Sequence, residues 1–239
     1  MHQLKWSVGI FVMLISSVTT FNNTLAAGAE TNADVTFQAD DTGITSPIDP
    51  TDPGKDVTPV EPVNPTTGAL RIDFASAFNF GSQKISGEAK DYHALFTQVN
   101  TASDEKKYVP NYVQVTDNRG LNSGWSLSVS GTEFISGSHA VLEGATLTMS
   151  GVHLTSTMDS KFTPSTVTAD LTLNTVAQNL VTAKENEGMA TWAIAFGKES
   201  GKDEFSTNPN ITLHVPAEAK KLAGETYTST VTWTLEATP

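Results

Sequence analysis

The chain has 239 residues, with 14 Lys plus Arg against 26 Asp plus Glu, and its net charge of −12 argues against a nucleic-acid partner, which would need a basic face. Cysteine is absent, which excludes disulfides, thiolate chemistry and zinc–sulfur sites, so stability has to come from packing. The length suits one β-rich domain with a real hydrophobic core plus a tail.

Lys5, the apolar run from Trp6 to Phe21 and the small residues Ala27-Gly28-Ala29 predict a secretory signal peptide over residues 1–29. A cut after Ala26 or Ala27 fits the same pattern. No later stretch is long or apolar enough for a membrane span, so a secreted protein without a transmembrane segment in its mature chain is expected. Residues 30–68 read as an N-terminal segment. Within it, the alternation of Val35-Thr36-Phe37-Gln38-Ala39 fits either a loose tail or a short strand added to a sheet edge. Pro47, Pro50, Pro53, Pro59, Pro62 and Pro65 then predict an extended, polyproline-like spacer. Its acids, Asp49, Asp52, Asp56 and Glu61, do not follow the spacing of a calcium loop.

From residue 69 to 239 the pattern is that of half-buried strands, apolar residues alternating with Ser and Thr. It is clearest in Tyr112–Val115, Trp125–Val129, Thr146–Met149, Asp170–Leu173, Ile211–Val215 and Val231–Leu235. Asp117-Asn118-Arg119-Gly120 and Asn208-Pro209-Asn210 read as turns. Only the stretch from Pro216 to Ala223, with Pro first and Gly224 as its stop, looks helical. The expected fold is all-β, an antiparallel sandwich or open barrel with at most one or two short helical turns.

Catalytic patterns are missing. The five His show neither H-x-x-x-H nor H-E-x-x-H spacing, and there is no G-x-S-x-G elbow. The adjacent acids Asp104-Glu105 and Asp203-Glu204 lie in polar loops, whereas a glycosidase usually draws its two carboxyls from separate elements. No catalytic residue, metal site or cofactor is expected, and the reading is of a binding protein, not an enzyme.

Two copies of Trp-x-Leu stand out, Trp125-Ser126-Leu127 and Trp233-Thr234-Leu235. They occur with Asp49-Pro50-Thr51-Asp52-Pro53, the run from Phe80 to Ile85, Tyr112 to Gly120 leading into Gly124-Trp125, Leu142-Glu143-Gly144-Ala145 and Trp192 to Gly197. This arrangement resembles the WxL domain of Gram-positive surface proteins over essentially the whole mature chain. The resemblance implies non-covalent attachment to the cell wall, with peptidoglycan as ligand, and localisation on the extracellular surface. It also implies work in complexes with other WxL or membrane-anchored surface proteins, with roles such as adhesion. An alternative is an assembly subunit or adhesin that acts mainly through contacts with other secreted proteins.

Trp125, Leu127, Trp233 and Leu235 are the candidate binding motif. In a strand, residues two apart share a face, so these side chains either build an inter-sheet core or expose an indole for stacking on sugar rings. The remaining candidates are the turn residues Asp117, Asn118 and Arg119 and the paired cations Lys106-Lys107 and Lys220-Lys221. Each of these also has a plain reading, as a turn chosen for its backbone or as a solvated surface.

Overall fold

The computed structural model describes residues 28–62 and 65–238. The signal peptide expected over residues 1–29 falls almost wholly outside them. Residues 28–36 carry no regular structure and are exposed, and the chain from Phe37 onward forms one compact unit.

That unit is built from antiparallel strands, as the alternating pattern requires. A central four-stranded sheet runs Val152–Thr155, Ala190–Phe196, Tyr112–Asp117, Leu70–Ala75 in spatial order. A second, the motif sheet, runs Thr166–Val167, Gln178–Ala183, Trp125–Gly131, Val231–Ala237. The third runs Asp170–Thr172, Thr146–Ser150, Thr207–Val215, Lys90–Leu95. One apolar core receives side chains from all three: Val113, Val115 and Ile194 from the central sheet, Trp125 and Leu127 from the motif sheet, Met149 and Ile211 from the third.

The central sheet is buried on both faces, and Tyr112–Asp117 has no exposed residue. Its second face contributes Phe74, Tyr112, Ala193 and Ala195 to a separate core, closed by Ile48, Val57, Val99 and Val109. The cover is supplied by a three-stranded sheet, Thr58–Pro59, Thr97–Asn100, Lys106–Val109, together with the hairpin of Ile48–Asp49 and Asp52–Asp56.

This corrects the spacer reading. The Pro-rich stretch is part of the body because two of its few apolar residues, Ile48 and Val57, have a sheet face to bury against, while Val60 stays exposed. Pro53 and Pro59 fall in short edge strands, Pro50 in a turn, and Pro47, Pro62 and Pro65 in irregular chain, where a missing N–H costs little. The turn at Asp49 is local chemistry, its carboxylate accepting from the N–H and hydroxyl of Thr51 at 2.8 Å each. Gln114 fastens the same segment from the sheet, its Oε1 accepting from Ile48 N at 2.7 Å and its Nε2 donating to Ser46 O at 3.1 Å.

Of the two readings left open for Val35–Ala39 the strand does not form: the segment joins no sheet edge, and Phe37 is 88% exposed. One further expectation fails. The stretch from Pro216 to Ala223 forms turns, not a helix: Lys221 Nζ bonds the carbonyls of Pro216, Ala217 and Ala219, and a segment this short nucleates a helix poorly. Among the described residues the one helical turn is a 3-10 turn at Ser160–Phe162, whose first N–H groups are met by Asp159.

Candidate functional site

The two Trp-x-Leu copies lie on neighbouring strands of the motif sheet. Their antiparallel register sets Leu235 opposite Leu127, Trp233 opposite Val129 and Ala237 opposite Trp125. They form one side-by-side ladder, where the sequence had suggested two sheets facing each other.

Trp125, Leu127 and Val129 are fully buried. The indole N–H of Trp125 donates to Gly188 O at 2.8 Å, so its only polar atom is satisfied in the interior. The pocket admits nothing larger than glycine at 188, where a Cβ would stand 2.5 Å from Trp125 Nε1 and φ is +70°. Gly124, with φ of +82°, passes so close to the carbonyls of Ala183 and Lys184 that a side chain would collide with them. Trp125 therefore has no surface to offer a ligand. Trp233 and Leu235 occupy the outer strand of the sheet and are half-buried, packed against the core with the Trp233 ring centroid 6.2 Å from that of Phe196.

The turn candidates serve the first motif. Arg119 forms a fork with Asp117, at 2.9 and 2.7 Å, and its Nη2 donates to Gly124 O at 2.6 Å, fixing the entry to the Trp125 strand. The hydrogen bond to Asp117 raises the Arg119 pKa above its ordinary value, outweighing the opposing effect of burial. Thr238 N reaches the same Gly124 carbonyl, so the end of the second motif strand ties to the start of the first. Asn118 pairs with Asp40 through its backbone carbonyl and its side chain. Asp117 and Asn118 also line an open cleft of about 350 Å³ with Gln38, Asn122, Met158 and Met189.

The lysine pairs are not brought to this place. Lys107 binds Asp49 and Thr51 under the second core, and Lys221 is spent on backbone carbonyls, while Lys106 and Lys220 are exposed. Burial pushes the Asp49 carboxyl up, but the bonds from Lys107 and Thr51 outweigh it and hold the pKa below its ordinary value. Asp73 behaves oppositely: burial raises it despite bonds from Thr116, Gln114 and Arg71.

Sequence reasoning missed a second open cleft, of about 270 Å³, at the opposite end of the central strands. Glu61, Phe96, Gln98, Tyr108 and Glu204 line it. Burial raises the Glu61 carboxyl, opposed by a hydrogen bond from Ala77 N. No sequence signal joins Glu61 to Glu204, since only the folding of the Pro-rich segment onto the body brings them to one cleft. Among the described residues no three His, Asp or Glu side chains cluster as metal ligands, and no helix is long and apolar enough to cross a membrane.

A family model described as "WxL domain surface cell wall-binding" matches residues 24–239, which includes both Trp-x-Leu copies and the Pro-rich segment. Comparison with curated proteins and with solved structures returned no match.

Proposed function

Because this chain belongs to the WxL family of surface domains that bind the cell wall, we propose that it holds to peptidoglycan without a covalent bond. The observation that carries this reading is the extent of the match: it spans the whole compact unit, both cores included, which supports taking that unit as the binding domain. The family is described by binding and not by a reaction, which supports attachment rather than catalysis. The net charge of −12 makes adsorption to anionic wall polymers repulsive, so binding has to rely on specific short-range contacts. Membership of a multi-protein surface complex is part of the same proposal, supported by the resemblance.

The test is sedimentation of the purified protein with peptidoglycan stripped of teichoic acid. Co-sedimentation that survives moderate salt is expected. Folded protein left in the supernatant would overturn the reading in favour of an assembly subunit held by other surface proteins, which crosslinking on intact cells would reveal.

A further inference from the structure

The outer face of the motif sheet is of a different kind from its inner face. The residues between the buried positions, Ser126, Ser128 and Ser130 on one strand and Thr232 and Thr234 on the next, all point away from the core. The register makes them a grid, with Ser130 opposite Thr232 and Ser128 opposite Thr234, while Thr182 stands on the far side of Ser126. Neighbouring strands set the columns roughly 4.8 Å apart, and same-face residues recur about every 6.7 Å along a strand.

Thr182 Oγ1 donates to Asn179 Oδ1 at 3.1 Å, but the other five hydroxyls are unengaged. Those flanking the grid bond within the protein, as Ser229 Oγ does to Thr132 O at 2.7 Å and Thr238 Oγ1 to Ser123 O at 2.6 Å. Among the described residues, the five in the two motif strands have no hydrogen-bond partner in the chain. The corresponding face of the third sheet is also rich in Thr, but there the groups pair with one another: Thr148 with Thr172, His93 with Thr212, His214 with Asp91. That face also carries the charged Asp91 and Asp170, whereas the two motif strands present one charge, Glu236, at the end of the grid.

We infer that this hydroxyl grid is the surface that contacts the wall, and that its occupant is an uncharged stretch of glycan strand. The inference rests on the wall-binding reading. Each hydroxyl offers one donor and two acceptor sites, which matches the hydroxyls and amides of a neutral saccharide without desolvating a charge. A face nearly free of carboxylates is also where a protein of net charge −12 can approach an anionic envelope with least repulsion. Such contacts are individually weak and add along a repeating polymer, so a long strand binds where a single sugar does not. The middle residues of the two motifs, Ser126 and Thr234, then make contact while the Trp and Leu beside them hold the sheet.

The experiment uses the full chain with teichoic-acid-free peptidoglycan and with β-1,4-linked N-acetylglucosamine oligomers as competitors. The double substitution Thr232→Glu with Thr234→Glu is expected to lower wall affinity at least about tenfold with an unchanged melting temperature. Should that pair fail to fold, Thr232→Val with Thr234→Val, which keeps the strand-favouring shape, is expected to lower affinity about three- to tenfold. The same Thr→Val change at Thr148 and Thr172 is expected to leave binding intact, and the hexamer to compete better than the dimer. Folded motif-face variants that bind like the parent protein overturn the inference and leave wall binding standing. Competition by free stem peptides but not by the oligomers overturns it too, by moving the contact to the peptide part. A parent protein that does not sediment removes both readings.

Discussion

The strands Trp125–Gly131 and Val231–Ala237 carry the same three-residue motif, lie in the same sheet and point their Trp and Leu to the same side, yet only in the first are those two side chains fully buried. The difference is one of position. Trp125–Gly131 has partners on both sides, Gln178–Ala183 and Val231–Ala237, and its indole N–H finds a carbonyl inside. The second motif lies at the border of the sheet, where Trp233 covers the core edge beside Phe196 and keeps part of its ring in solvent. The same Trp-x-Leu pattern thus has two structural duties, a central pillar and a flank, set by which strands end up alongside.

The sharpest way to break this comparison is to remove each indole. Trp125→Ala is expected to cost about 3–5 kcal/mol, since a large cavity opens and Gly188 O loses its donor. Set against a typical stability of about 5–15 kcal/mol, that leaves a domain near its unfolding threshold, readable by urea titration. Gly188→Ala is expected to come next, at about 2–3 kcal/mol, because the new methyl needs both a left-handed backbone and space held by the Trp125 ring. Trp233→Ala, losing roughly half as much buried area, is expected to cost about 1–2 kcal/mol. Equal losses for the two Trp substitutions would refute the assignment of pillar and flank.

A reference outside the motif sharpens the contrast. Asp49→Asn is expected to cost about 1 kcal/mol near neutral pH by removing the charge that meets Lys107. The folded carboxyl has a pKa below its ordinary value, so its stabilising contribution is complete above that ordinary value and is lost as pH falls through the folded one. The gap between parent and variant in thermal melts should therefore close on acidification, while the Trp125→Ala deficit persists.

Much of the fold was legible because strand periodicity is a local property. The six alternating runs all became strands, and the absence of Cys together with the alternating pattern pointed to a packed all-β body. The Pro-rich segment and the stretch from Pro216 to Ala223 were misread for one reason: local propensity weighs proline spacing and alanine content, whereas both outcomes depended on distant groups. Gln114, Lys107 and the open face of the central sheet recruited the first, and Lys221 took the carbonyls of the second. At the candidate site, the sequence showed that Trp125, Leu127 and Val129 share a face, but not that Asp117 and Arg119 are consumed in holding Gly124.

The chain's own order of residues determined strand content, the pairing of apolar with hydroxyl faces, and the family to which it belongs, because each is written in the spacing of near neighbours. Only the tertiary structure decided that the two motifs lie side by side, that one indole is sealed and the other half open, and that five hydroxyls remain unpaired on the far side. Those outcomes depend on register between strands separated by about a hundred residues, and register follows from the packing of the whole core.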